Sequence, residues 1–183
     1  MRHIIAIACA ISFLVLSCAQ NAGNWQPRSV LSQPDRAVGY RMDAAFTEHE
    51  GGMIRTAMDT WTVGTEYRVR FVEVESNFDI AIVRSPTRSS VPGSDRLPWN
   101  FVGVMDPNTS RIYLVPSEMG KMGDDLFIAV MVHEIGHSLG LRHTDQATSF
   151  YTSCMTPAVN PSCDDFGLPR DDLSAFCDAN NCQ

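Results

Sequence analysis

The chain has 183 residues, which is enough for one domain with a sizeable buried core. Hydrophobic residues make up 44% of it and charged residues 19%, a globular balance that excludes an intrinsically disordered chain. The formal net charge of −7, without any basic run, excludes nucleic acid and anionic membrane surfaces as electrostatic partners.

The first residues have the composition of a secretory signal peptide. Arg2 precedes an apolar run from Ile4 to Leu16, which is too short for a spanning helix and is followed by small residues. The end of this run, LVLSC, resembles the lipobox of bacterial lipoproteins and so implies lipidation of Cys18. The alternative is ordinary cleavage after Ala19, at a small-x-small site. We therefore expect an exported protein, either secreted or lipid-anchored at the cell envelope, with the lipid as its only link to a membrane.

The segments that follow predict an α/β arrangement in one domain. Residues 1–18 are the expected signal peptide, residues 19–36 a polar tether or short pro-segment, and residues 37–183 the folded domain. A first strand is predicted over Arg36–Phe46, and a helix follows from Glu48. The apolar residues of that helix recur at i, i+3, i+4 and i+7, namely Ile54, Ala57, Met58 and Trp61. Two short strands are predicted next, at Glu66–Val74 and Phe78–Ser85.

The second half of the chain predicts a hairpin, a buried helix and a cysteine-rich end. After a Ser- and Pro-rich loop, Asn100–Val115 reads as two strands around an Asp-Pro-Asn turn. Asp124 or Asp125 is predicted to cap a helix whose interior, Leu126–Leu139, is almost wholly apolar. Turns dominate from there to Leu168, and the final segment, RDDLSAFC, predicts a short helix after a proline.

Four cysteines lie beyond the signal, all in the last part of the chain: Cys154, Cys163, Cys177 and Cys182. An even number in an exported protein predicts two disulfides, and three pairings are open. A four-cysteine zinc site is the alternative, but it is disfavoured because the chain contains no CxxC pair. The disulfides would brace a loop-rich C-terminal segment.

The stretch HEIGHSLGLRH, from His133 to His143, ends the predicted apolar helix. On a helix, His133 and His137 are one turn apart and project from one face, so both can bind one metal ion. Glu134 stands beside them and can reach a metal-bound water without being a ligand. Gly140 can adopt the positive φ that ends a helix, and His143 can then fold back to the metal as a third ligand.

This set of residues predicts metal-assisted hydrolysis. Three neutral imidazoles leave the double charge of the ion uncancelled, which lowers the pKa of a bound water towards ~7. Glu134 would take the proton as water attacks a carbonyl and pass it to the leaving amine. Imidazole ligands with one open position favour a single catalytic zinc ion, with cobalt and manganese as alternatives. A purely structural Glu134 is disfavoured because burying an unpaired carboxylate is costly.

The longer pattern HExxHxxGxxH resembles the signature of the metzincin clan of zinc metallopeptidases. Within the clan, HEIGHSLGLRHT is most similar to the matrixins and to the bacterial dual-action HEIGH metallopeptidases. The resemblance implies that Met155, in TSCMTP, forms the Met-turn beneath the metal and that Pro157 lies in the wall of the S1′ pocket. It also implies a metzincin-like zincin domain of the α/β (α+β) class. In such a domain a twisted mixed sheet and an active-site helix lie above a disulfide-braced C-terminal subdomain. By the same resemblance, Asn100–Met105 would be an edge strand that pairs with an extended peptide.

On this resemblance, residues 37–183 form the catalytic domain of an exported zinc-dependent endopeptidase that acts, as a monomer, on protein or peptide substrates. Two alternatives stay open. One is a zinc amidase acting on cell-wall peptides, and the other is a non-catalytic zinc-holding binding protein, in which Glu134 would have no use.

Three smaller groups are weaker candidates. Asp106 with Asn108, and Asp164 with Asp165, offer oxygen ligands for a structural calcium ion, but each group is explained more simply as a turn. Asp35 could block the metal in a precursor, although an aspartate in SQPDR is typical of turn chemistry.

Overall fold

The computed structural model describes Ser29 and residues 37–121, 123–144, 153–156, 163 and 167–182. Several predictions concern residues outside these ranges and stay predictions: Cys18 and the signal peptide, Asp35 in the tether, Pro157, and the pair Asp164 and Asp165. Among the described helices, none has the length and apolar character needed to cross a bilayer.

The described strands form one mixed sheet. They are β1 (Ala37–Met42), β2 (Arg70–Glu73), β3 (Ile80–Arg84), β4 (Gly103–Asp106) and β5 (Arg111–Leu114). Their order is β2-β1-β3-β5-β4, and every neighbouring pair is parallel except the β4–β5 hairpin. The predicted mixed sheet is confirmed, and β4 lies at its edge as expected for the Asn100–Met105 segment.

The first three strands are shorter than the sequence pattern predicted, and the largest differences are in β1 and β2. Strand β1 ends early because the Asp43 carboxylate accepts a hydrogen bond from the backbone N–H of Ala45 and closes a turn. The predicted strand Glu66–Val74 is wrong in its first half. Glu66 and Tyr67 have φ angles of 53° and 65°, a left-handed conformation that cannot continue a strand.

The helices are α1 (Glu48–Gly64), α2 (Pro116–Met119), α3 (Asp124–Ser138) and α4 (Arg170–Asn180). A reciprocal capping box begins α1: the Thr47 hydroxyl accepts from the backbone N–H of Glu50, and the Glu50 carboxylate accepts from that of Thr47. The N-cap of α3 is Gly123, so the prediction of an aspartate cap is wrong. Asp124 and Asp125 lie instead in the first turn, where the helix dipole favours their charge.

The main core lies between one face of the sheet and helices α1 and α3. Trp61 of α1 is fully buried, and its Nε1–H donates to the backbone carbonyl of Val132 in α3 at 2.8 Å. Residues 129–138 of α3 are buried on every side, which explains why the sequence there lacks the polar face of a surface helix. The HEIGH motif therefore lies on an enclosed part of this helix.

A second, smaller core covers the opposite face of the sheet at its β4–β5 end. Val104 and Tyr113 face it, because alternate residues of a strand point to opposite faces. The loop between β3 and β4 lies over this cluster and contains two short 3₁₀ turns, Arg88–Ser90 and Ser94–Arg96. Arg88 holds the loop in place, since its Nε–H donates to the carbonyl of Phe101 at 2.7 Å. Strand β4 is thus packed on both faces while its outer edge is the edge of the sheet.

Candidate metal centre

Helix α3 supplies the first two histidines of the site. His133 and His137 are one turn apart, their ring centroids are 4.6 Å from each other, and both residues are buried. The helix places them on one face because its period is 3.6 residues. The sequence prediction that these two side chains share a face agrees with this geometry.

The chain reverses direction directly after α3 and brings the third histidine back. Gly140 has a φ of 94°, and the N–H of Leu141 donates to the carbonyl of Gly136 at 3.0 Å, which closes the helix end. His143 Nε2 then lies 3.0 Å from His133 Nε2 and 3.1 Å from His137 Nε2. Within the described ranges, these three histidines are the group whose ligand atoms converge, all within 4.8 Å of one another.

The orientation of the rings fits a cation. His133 Nδ1 lies 2.7 Å from the carbonyl oxygen of Cys154, and His137 Nδ1 lies 2.9 Å from that of Leu141. A carbonyl only accepts, so each Nδ1 carries the proton and donates it. The Nε2 atoms of both rings therefore carry lone pairs that point towards His143. Lone pairs converge in this way around a positive ion, and imidazole nitrogens are metal ligands that suit zinc.

The electrostatics of the site keep the rings neutral. Burial, together with the neighbouring histidines, holds the pKa of His133 well below its ordinary value. Burial also lowers the pKa of His137 to about 3 and that of His143 to about 4. Neutral imidazoles at physiological pH are the form that binds a metal ion.

Glu134 lies between the helix and the edge strand. It is buried, and a methyl group placed on Gly103 of β4 would come within 3.3 Å of its Oε1 and within 2.7 Å of Val130 Cγ1. Gly103 therefore lets β4 approach α3 closely and brings Glu134 next to the sheet edge. Gly103 could not be recognised from the sequence, since nothing in the hairpin pattern distinguishes it from a glycine in an ordinary strand.

Met155 lies against the same helix from the other side. It is fully buried, and a methyl group on Gly136 would overlap its Sδ. The backbone carbonyl of Met155 accepts a hydrogen bond from the N–H of Thr144 at 2.9 Å, next to His143. Met155 thus lies close to the histidine cluster without being one of the converging groups.

The cysteines form two disulfides, Cys154–Cys163 and Cys177–Cys182. Two disulfides were predicted, and this pairing is one of the three that the sequence left open. Both bonds join residues that are close in sequence, and the first includes the residue whose carbonyl holds His133.

Asp172 of α4 is a second residue that the sequence analysis missed. Its carboxylate is buried and accepts hydrogen bonds from the Ser153 hydroxyl and from the backbone N–H of Cys154, the latter at 2.6 Å. In the sequence, Asp172 reads as an ordinary acidic residue in the first turn of a helix. Only the folded chain shows that it reaches the segment beside the three histidines.

The calcium candidate within the described residues has the geometry of a turn. The Asp106 carboxylate accepts from the backbone N–H of Asn108 at 3.0 Å and from the hydroxyl of Thr109 at 2.7 Å. Both carboxylate oxygens therefore have partners inside the β4–β5 turn, as expected for an aspartate at the start of a tight turn.

Comparison with protein families matches residues 43–178 to the matrixin model of the M10 peptidases. No curated protein matches the sequence. Two of the solved structures that are similar in fold are myroilysin and a fish hatching enzyme. Myroilysin aligns with a TM-score of 0.52 at 13% identity, over 86% of this chain and 98% of that one. High choriolytic enzyme 1, a hatching enzyme zinc-protease of the medaka fish Oryzias latipes, aligns with a TM-score of 0.50 at 15% identity, over 80% of this chain and 90% of that one.

Proposed function

Because the chain belongs to the matrixin family and is a zinc metalloendopeptidase, we propose that it cleaves peptide bonds with Glu134 as general base and with His133, His137 and His143 as ligands of one catalytic zinc ion. The observation that carries this proposal is the convergence of three Nε2 atoms beside a buried glutamate. When bound, zinc supplies Lewis-acid chemistry, since it acidifies a water molecule and polarises the scissile carbonyl.

Glu134 supplies the proton transfers. Its carboxylate accepts the proton of the attacking water and then donates that proton to the leaving amine nitrogen. Its place next to Gly103 supports this role, because it puts the carboxylate at the sheet edge where a substrate can lie. Met155, packed against Gly136, would support the site from below, and Pro157 would line the S1′ pocket.

Among the described strands β4 lies at the edge of the sheet, and its outer edge offers a binding mode for an extended peptide. The N–H of Val115 donates to the carbonyl of Val102, which makes this pair a hydrogen-bonded pair of the hairpin. The alternation of an antiparallel ladder then points the N–H and C=O groups of Gly103 and Met105 away from β5. A peptide that added to this edge as a strand would pass beside Glu134. We therefore propose unfolded protein or extended peptide segments as substrates of a monomeric enzyme.

The test compares the parent with Glu134→Gln, using casein or gelatin as substrate and a chelator control. We expect Glu134→Gln to keep zinc and to lose about 10²–10⁴-fold in kcat/KM. Glu75→Gln, a substitution of an exposed glutamate, is the matched control and should cleave like the parent. Equal cleavage by Glu134→Gln would contradict the general-base role.

The same assay separates the alternatives. A parent protein that binds zinc and cleaves nothing would be a zinc-holding binding protein. Cleavage of peptidoglycan peptides, with casein untouched, would indicate an amidase of the cell wall instead. The proposed endopeptidase cleaves casein or gelatin.

We propose that the enzyme is exported, secreted or anchored at the cell envelope through Cys18. The two disulfides support export, since such bonds persist in oxidising compartments. Mass spectrometry of the mature N-terminus distinguishes the two forms. An N-terminal Cys18 that carries acyl chains would confirm the lipid anchor, and a mature chain that begins after Ala19 would rule it out.

A further inference from the structure

The segment 153–156, next to the histidine cluster, is fully buried although it belongs to no helix or strand. Regular hydrogen-bond ladders therefore cannot fix its position, so individual packing contacts and hydrogen bonds must do so. One such contact is the packing of Met155 beneath Gly136, and another is its backbone bond with Thr144. Several further contacts meet at Cys154.

Three groups of Cys154 are engaged at once. Its backbone N–H donates to the Asp172 carboxylate at 2.6 Å, its carbonyl accepts from His133 Nδ1 at 2.7 Å, and its sulfur is bonded to Cys163. The carbonyl that orients a metal-site histidine is therefore held from two directions. One support is covalent and local, and the other comes from helix α4.

The support from α4 is reinforced by Ser153. The Ser153 hydroxyl donates to the second oxygen of Asp172 and accepts from the backbone N–H of Met155 at 2.9 Å. Burial raises the pKa of Asp172, and the hydrogen bonds that its carboxylate accepts oppose this rise, so they offset part of the cost of enclosing the carboxylate. A carboxylate enclosed in this way has a fixed position, and so do its partners.

We propose that Cys154 is a positioning residue for the metal site, held by its disulfide to Cys163 and by Asp172 so that its carbonyl fixes the tautomer and orientation of His133. The inference rests on the proposed role of His133 as a zinc ligand. Its physical basis is that a ring whose Nδ1–H is bonded to a fixed carbonyl presents the Nε2 lone pair in one direction. When the carbonyl loses its supports, the ring can turn or change tautomer, and zinc is held less tightly.

The test removes the covalent support and leaves the carbonyl in place. In the double variant Cys154→Ala/Cys163→Ala we expect the zinc dissociation constant, measured by competition with a chelator of known affinity, to rise about 10–100-fold. The matched control is Cys177→Ala/Cys182→Ala, which removes the other short-range disulfide. We expect this control to bind zinc like the parent.

A second series tests the support from α4 and remains informative if the double variant does not fold. Asp172→Ala should weaken zinc binding, because it leaves the Cys154 N–H and the Ser153 hydroxyl without their acceptor. Asp172→Asn, whose amide oxygen can still accept from Cys154, should recover most of the affinity. Asp178→Asn, an exposed position on the same helix, is the control and should bind like the parent.

The nitrogen resonances of His133 provide a readout that a general loss of stability would not change. In zinc-free parent protein we expect a protonated Nδ1 and an unprotonated Nε2, and in the double variant and in Asp172→Ala a mixture of tautomers. If the parent binds zinc and cleaves substrate while these variants keep both the zinc affinity and the Nδ1 proton, the inference is wrong and the proposed function stands. If the parent does not bind zinc at all, the proposed function fails and the inference fails with it.

Discussion

Gly136, the fourth residue of the HEIGH motif, is required by packing. The Sδ of Met155 and the Cζ2 of Trp61 fill the space that a side chain at this position would need, with Cζ2 only 3.0 Å from a Cβ. Alanine is ordinarily the better helix former by about 0.8–1 kcal/mol. Here we expect Gly136→Ala to lower the free energy of unfolding by about 1–3 kcal/mol, because rigid, buried neighbours must move. Chemical denaturation checks the value.

Gly52 is the matched control for this prediction. It lies in the interior of α1, and nothing stands within 4 Å of the position that its Cβ would take. Gly52→Ala should therefore stabilise the protein by about 0.5–1 kcal/mol. If both alanine variants were stabilised alike, the close contact between Gly136 and Met155 would be refuted.

At the scale of single residues, the sequence predicts what local geometry determines. The spacing of His133 and His137 fixes their common face, and Gly140 marks the reversal that returns His143. Asp172 could not be predicted, because its role depends on where α4 packs against a segment 18 residues earlier. Gly103 could not be predicted for the same reason, since the approach of β4 to α3 is a tertiary contact.

At the scale of elements, an ion pair joins the start of α1 to the end of β3. Arg84 donates from Nη2 and Nε to the two carboxylate oxygens of Glu50, at 3.0 and 3.2 Å. Burial raises the pKa of Glu50, but the hydrogen bonds from Arg84 and from Thr47 outweigh this, so the pKa is lowered overall. A carboxyl whose pKa is lower in the folded than in the unfolded chain stabilises the fold at pH values above its unfolded-state pKa. This contribution disappears as the pH falls through its folded-state pKa.

We therefore expect Glu50→Gln to lower the free energy of unfolding at pH 7 by about 1 kcal/mol, because the ion pair is partly buried and bidentate. The difference from the parent should begin to shrink as the pH falls below the unfolded-state pKa of about 4.3, and it should disappear below the lower folded-state pKa, where the carboxyl of the parent also becomes neutral. Urea denaturation at the two pH values measures both quantities. Glutamine keeps the capping interaction with Thr47, so the comparison isolates the charge.

Two further variants control this prediction. Glu48→Gln removes an exposed carboxylate in the same turn of α1 and should change stability much less. In the background of Arg84→Met, Glu50→Gln should cost little, since the partner is already absent. A loss for Glu50→Gln that was equal at low and neutral pH would show that the ion pair is not its cause.

The elements themselves were predictable to different degrees. Helix α3 was predicted with nearly its observed length, because a long apolar run between two aspartates and Gly140 is compatible with few other structures. The strand at Glu66–Val74 was overextended, since a turn built on left-handed Glu66 and Tyr67 carries neither glycine nor proline to mark it. Helix α2 has only four residues, too few to show a period. The strand order depends on long-range pairing that no local pattern encodes.

At the scale of the whole molecule, the candidate metal centre connects parts that are far apart in sequence. Helix α3 and the loop after it carry the three histidines, and β4 packs beside Glu134. The segment 153–156 contacts His133 through the carbonyl of Cys154, and α4 contacts that segment through Asp172. The Nε2 atoms of the three neutral imidazoles face one another, and at least two of them offer a lone pair instead of a proton. They therefore make poor hydrogen bonds with one another. A cation resolves this conflict for the whole assembly, so metal binding should be coupled to the stability of the fold.

We therefore expect zinc to raise the thermal midpoint of unfolding. A ligand that binds only the folded state raises the free energy of unfolding by about 2.7 kcal/mol when its free concentration is 100 times the dissociation constant. For a domain of this size, that corresponds to a rise in Tm of roughly 5–10 °C relative to chelator-treated protein. Differential scanning calorimetry measures the shift, and Glu134→Gln should show it in full because this residue is not a ligand. His143→Ala, in the loop after α3, should lose the shift; a variant that still showed it would exclude His143 from the metal centre.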